Sequence, residues 1–166
     1  MNKIIIVEGI SRVGKTTLCN KINKLYNIPI YKHNKNIIQY SDMNDRNEVE
    51  KMMVMLDVYR TIPSNIIFDR FHFSNAVYGI LLRNYDINES INNIKIIEKY
   101  IKSINSRCIL IKVSPTDIKE SSRQYGKDLT QFENYFQKLY NISILEKYEC
   151  DYNSQNKLID KLGLYE

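Results

Sequence analysis

Tryptophan is absent from the 166 residues, and there are only two histidines, three prolines, three cysteines and five glycines. Cys19, Cys108 and Cys150 are odd in number, far apart and set among apolar or mixed neighbours. That excludes a disulfide framework and any Cys-based zinc spacing, and leaves free core thiols. So few glycines and prolines exclude a low-complexity linker, and no repeat is visible. No apolar run approaches the roughly 20 residues that cross a bilayer. The N-terminus reads as a core strand and not as a signal peptide. These absences predict a cytoplasmic chain with no membrane partner, or one in the host cytoplasm if the source is viral.

What remains has the composition of one globular domain over residues 1–166, 43% hydrophobic and 26% charged. The net charge of +5 favours an anionic substrate. Lysine is scattered over the whole chain, however, so the charge does not by itself indicate nucleic acid.

The densest local signal is Gly9-Ile10-Ser11-Arg12-Val13-Gly14-Lys15-Thr16, which fits the phosphate-loop pattern G-x-x-x-x-G-K-[ST]. Two of the five glycines fall at its required positions. The β-branched run Ile4-Ile5-Ile6-Val7 precedes it, as a buried parallel strand would. Leu18, Ile22 and Leu25 follow at helical spacing. A loop that closes a strand and opens a helix presents backbone N–H groups and the positive helix end to phosphate. In such a loop Lys15 bridges the β- and γ-phosphates of ATP, the Thr16 hydroxyl is a ligand of Mg²⁺, and Thr17 settles the first turn.

Strand-like and helix-like segments then alternate, the pattern of an α/β domain with a parallel sheet. The spacing predicts strands over 27–31, 65–69, 107–113 and 148–152, and helices over 46–62, 71–83, 89–104, 115–124, 129–147 and 154–162. Segment 34–43 is polar and ambiguous. Asp69-Arg70 closes one of the predicted strands, where open α/β sheets bind their ligands. A carboxylate there can hold Mg²⁺ or its water shell, and a guanidinium can grip an acceptor phosphate with a fork of donors.

Glu8 through Thr17, together with Asp69-Arg70-Phe71 followed by Ser74, Ala76 and Tyr78, resemble the thymidylate kinase and deoxynucleoside kinase branch of the phosphate-loop kinases. The resemblance implies a three-layer fold whose five parallel strands run in the order 2-3-1-4-5. It also implies transfer of the γ-phosphoryl group of ATP to a nucleotide or nucleoside, a role in nucleotide biosynthesis and, commonly, a homodimer. Arg12 resembles the arginine that some thymidylate kinases carry inside the loop, where it stabilises the transferred phosphoryl. Arg60 looks like an acceptor-binding arginine on the helix before the third strand. Arg123 and Lys127 look like a shortened basic lid, about 121–129, hinged at Gly126. Phe73 and Tyr78 fall beside the acceptor, although Phe71, His72 and Phe73 read first as packing residues.

Two departures bear on the acceptor. Thymidylate kinases carry Asp where this chain has Ser11, and a Pro-Gly-Gly segment where it reads Tyr31-Lys32-His33-Asn34-Lys35-Asn36. The glutamate that deoxynucleoside kinases use there as general base is also missing, leaving Asp42 or Asp69 as base candidates. A monophosphate oxygen is already an anion and needs no base, which favours a deoxynucleoside monophosphate, thymidylate first. A nucleoside 5′-hydroxyl and a 5′-hydroxyl polynucleotide are the alternatives. A regulatory GTPase is excluded by the lack of a late Asn-Lys-x-Asp. The intact Lys15, Thr16, Asp69 and Arg70 argue against a catalytically dead binding protein.

Overall fold

The structure, a computed structural model, describes residues 2–32, 45–61 and 64–165. Its strands are β1 (Asn2–Glu8), β2 (Ile30–Lys32), β3 (Ile66–Asp69), β4 (Ser106–Val113) and β5 (Glu146–Cys150). They form one parallel sheet in the order β2-β3-β1-β4-β5, as the resemblance implies. The helices that flank it are α1 (Lys15–Tyr26), α2 (Asp45–Thr61), α3 (His72–Arg83), α4 (Ile87–Ser103), α5 (Ile118–Tyr125), α6 (Thr130–Ile142) and α7 (Gln155–Lys161). A 3₁₀ turn, Tyr152–Ser154, precedes α7.

Ile4, Ile5, Ile6 and Val7 are buried on both faces of the central strand, which is why they form an uninterrupted apolar run. From β1 the chain returns to β2 on one side, whereas from β3 it crosses to β4 on the other. Right-handed crossovers therefore send α1 and the α3–α4 pair to opposite faces. The two strands whose loops diverge are neighbours, with Val7 opposite Asp69. A crevice opens at their carboxyl ends.

One face of α4 is an apolar stripe at helical spacing, with Ile94, Ile97, Ile101 and the flanking Ile104 all buried. Three boundaries differ for physical reasons. Asn27 begins no strand; it caps α1 in the left-handed region at φ 54°, and β2 is only Ile30–Lys32. The helix predicted over 115–124 starts at Ile118, after the Asp117 side chain accepts the Lys119 and Glu120 N–H groups. The long helix predicted over 129–147 stops at Ile142 because Ser143 and Ile144 turn to the carboxylate of Glu98, at 2.7 and 2.9 Å. Consequently β5 begins two residues earlier than expected. Segment 34–43, with Asp42, lies outside the described residues.

Candidate functional site

The phosphate loop is built by close packing. A Cβ on Gly9, at φ 147°, would stand 2.4 Å from the Val113 carbonyl oxygen of β4, so only glycine fits. Arg12 and Gly14 both take left-handed backbone, at φ 63° and 97°, and curl the chain into a concave turn. Behind it, the Gly14 carbonyl accepts the Gln155 Nε2–H at 2.9 Å, and the Tyr152 ring occupies the space a Gly14 side chain would need. No side chain caps α1, and its first turn carries no acid. The positive helix end is thus kept for an anion.

Lys15 is buried, and its Nζ donates to the Ile10 carbonyl inside the loop. Burial pushes the Lys15 ammonium well below its ordinary pKa, and the neighbouring Arg70 charge adds to that; Asp69 and Glu8 oppose it. Thr16 Oγ1 donates to Asp69 Oδ2 at 2.8 Å, joining the end of β3 to the start of α1. This hydroxyl and carboxylate are the hard oxygen donors that suit Mg²⁺, with phosphate and water completing its shell. The predicted pair is therefore assembled, and the residues present fit the ion.

Arg70 stands in the left-handed region at φ 73°, a conformation uncommon for a non-glycine residue and concentrated at functional sites. Its Nη1 donates to the Gly9 carbonyl and to Ser74 Oγ, at 3.3 and 3.1 Å, and its Nη2 donates to Ser11 Oγ at 3.2 Å. The guanidinium lies 5.2 Å from the centre of the Tyr78 ring, whose hydroxyl is 3.3 Å from Ser11 Oγ. Ser11, Arg70 and Tyr78 thus form one cluster on the loop's flank.

The remaining expected residues are placed differently. Arg12 has its backbone in the loop and is exposed. Arg123 is 74% exposed and paired at 2.6 Å with Glu120 on its own helix. Lys127 sits 5.4 Å over the Phe132 ring, which packs on Tyr78. The lid touches the loop through Ser121, whose hydroxyl donates to the Arg12 carbonyl at 3.3 Å. Beside α5 lies an open cleft of about 610 Å³ with Lys119, Arg123 and Lys127 on its walls; no loop residue lines it. Arg60 is 57% exposed and pairs with Asp57 on α2; among the described residues no hydrogen bond or ion pair joins it to the loop, Asp69 or Arg70. Phe73 has no exposed surface, so it packs in the core and offers no face for stacking.

Residues given no role from the sequence also matter. Glu8 is fully buried and accepts the backbone N–H groups of Phe71, Phe73 and Ser74 and the Ser74 hydroxyl. Its signal was present: an acid closing a buried apolar strand must find partners. Deeper in the molecule His72 meets Glu98 at 3.0 Å. Burial opposes ionisation of Glu98, yet hydrogen bonds from His72, Ile144 and Ser143 hold its carboxyl below the usual range. Burial pushes the Cys108 and Cys150 thiols up to about 12, so they stay protonated.

No protein-family model matches the sequence, and no curated protein matches it. Solved structures do. The YorR protein of Bacillus subtilis, in complex with phosphorylated GDP, is 23% identical, with 96% of this chain covering 92% of that one at a TM-score of 0.71. A deoxyadenosine kinase of M. mycoides with the products dCMP and a flexible dCDP bound is 19% identical, over 98% of this chain and 100% of that one, at 0.57. Polyphosphate kinase 2 of Arthrobacter aurescens TC1 is 8% identical over 98% of this chain, which spans 65% of that one, at 0.61. At these identities the likeness establishes the fold alone, a five-stranded parallel sheet in the order 2-3-1-4-5 flanked by helices.

Proposed function

We propose that this chain transfers the γ-phosphoryl group of ATP to a deoxynucleoside monophosphate, with dTMP the first candidate. The observation that carries the reading is Arg70, fixed between the phosphate loop and α3. Nη1 makes two hydrogen bonds and Nη2 one. Among the described residues nothing takes Nε–H, so the Nε edge of a five-donor guanidinium is left for a phosphate.

The loop amides, Lys15 and the α1 N-terminus would hold the donor phosphates. Lys15 would leave the Ile10 carbonyl for the β,γ-oxygens. Thr16 and Asp69 would hold Mg²⁺, whose charge would offset that of the donor phosphates. Arg12, with Arg123 or Lys127 brought over from the lid, would meet charge developing on the transferred group. A monophosphate oxygen attacks as an anion, so no side chain need remove a proton.

A deoxynucleoside acceptor is the second reading, favoured by the fold match to a deoxyadenosine kinase over nearly all of both chains. ADP formation from Mg·ATP, measured with each deoxynucleoside monophosphate, each deoxynucleoside and a 5′-hydroxyl oligonucleotide, separates them. Turnover confined to one or two monophosphates is expected. Turnover with nucleosides or the oligonucleotide alone would overturn the choice of acceptor.

A further inference from the structure

We infer that Glu8 and Ser74 are positioning residues that fix the Arg70 guanidinium for the acceptor; this rests on the reading above, in which Arg70 grips that acceptor. Glu8 cannot itself touch a phosphate or an ion. It is fully buried, with Oε1 taking the Phe71, Phe73 and Ser74 N–H groups at 2.7, 3.0 and 3.2 Å and Oε2 taking the Ser74 hydroxyl at 2.5 Å.

Two consequences follow for Arg70. The first concerns its backbone. Left-handed residues other than glycine persist where their surroundings over-determine them. Here the Arg70 N–H is held by the Val7 carbonyl at 3.0 Å, and the next N–H in the chain, that of Phe71, is held by Glu8. The strained turn is pinned on both sides by the last residues of β1. The second concerns the side chain. A serine hydroxyl has one hydrogen, and that of Ser74 is committed to Glu8. Its lone pairs are therefore turned to Arg70 Nη1. The negative charge of Glu8 is thus relayed through Ser74 to the guanidinium without contact between them.

Since Glu8 directly precedes Gly9, one strand end fixes both the loop that takes the donor and the arginine that takes the acceptor. Phosphoryl transfer needs those two groups in line, and small misplacements are costly in rate.

The test is a double-mutant cycle of Ser74→Ala and Arg70→Ala, with dTMP and deoxyadenosine as acceptors and Mg·ATP as donor. We expect Ser74→Ala to raise acceptor KM about tenfold, the loss of one hydrogen bond to a charged group, and to leave KM for Mg·ATP within twofold. In the Arg70→Ala background the same change should add nothing to acceptor KM. Glu8→Gln, which keeps the shape and removes the charge, should reproduce the acceptor effect even where its thermal stability stays near that of the wild type. If Arg70→Ala weakens acceptor use and Ser74→Ala has no effect, or an additive one, the relay is overturned and Arg70 keeps its role. If Arg70→Ala leaves acceptor kinetics unchanged with both acceptors, the acceptor reading falls and the relay with it.

Discussion

Arg70 and Arg123 are both arginines expected at the reacting phosphates, and the molecule holds them in opposite ways. Arg70 is bonded to Gly9 and Ser11, some 60 residues earlier in the chain, and its backbone is strained to allow it. Among the described residues Arg123 is bonded only to Glu120, one helical turn away, and it is mostly exposed. A cation fixed by distant elements is ready before substrate arrives. One held by its own helix can exchange partners when an anion enters. Loop and lid therefore differ in what substitution should do to them: in the loop stability and rate are strongly coupled, whereas removing the lid's charge should change rate alone.

The sharpest break of this contrast is Lys15→Ala. Turnover should fall by about 10³-fold, the scale of losing a preorganised charge at the transferred group. The melting temperature should hold or rise, because the ammonium is buried away from water. An active, normally folded variant would remove Lys15 from the site.

Asp69→Asn comes next. Its carboxamide can still accept from Thr16 but binds Mg²⁺ more weakly. Turnover should drop about 10²-fold, with half-saturation moved to higher Mg²⁺ in a metal titration. An unchanged titration would separate Asp69 from the metal.

A matched pair of glycine changes then compares the regions on stability. Gly9→Ala forces a Cβ onto the Val113 carbonyl and should cost at least about 3 kcal/mol in denaturant unfolding. Gly126→Ala meets nothing within 4 Å, and only its φ of 80° is penalised, about 1 kcal/mol. Equal losses would mean that the loop is no more tightly determined than the lid.

Arg123→Ala should leave the melting temperature unchanged and lower kcat about tenfold, less than the roughly 10²-fold cost of losing a preorganised donor, because this charge is exposed and held only by its own helix. An unchanged kcat would assign the lid's charge to Lys127.

The smallest effect is a proton. Free Lys15 has its pKa lowered well below 10.5 by burial and by Arg70, and donor phosphates would raise it again. Between those two values, ATP binding should take up a proton, seen as a buffer-dependent heat in calorimetry. The linkage has a definite sign. The unfolded chain binds the Lys15 proton more tightly than the folded one, so this group's contribution to stability rises with pH up to about 10.5. Heats independent of buffer would mean that Lys15 is already charged in the free protein.

Much of this was legible in the sequence because it is local. The apolar run of β1, the glycine spacing of the loop, the helical period of α1 and the Asp69-Arg70 pair at a strand end each lie within about ten residues. What the sequence could not display is pairing at a distance. Glu98 stops α6 by taking Ser143 and Ile144, Gln155 braces Gly14 from the far end of the chain, and Glu8 builds the first turn of α3. None of these leaves a periodic trace. Arg60 shows the converse: a helical arginine in a suggestive place, whose partner turned out to be its own neighbour Asp57.

The central claim is tested most directly by following the γ-phosphate. Incubated with γ-labelled ATP, Mg²⁺ and dTMP, the protein should place the label in dTDP and almost none in inorganic phosphate. Label that stays in ATP, or appears only as inorganic phosphate, with a folded protein would contradict it.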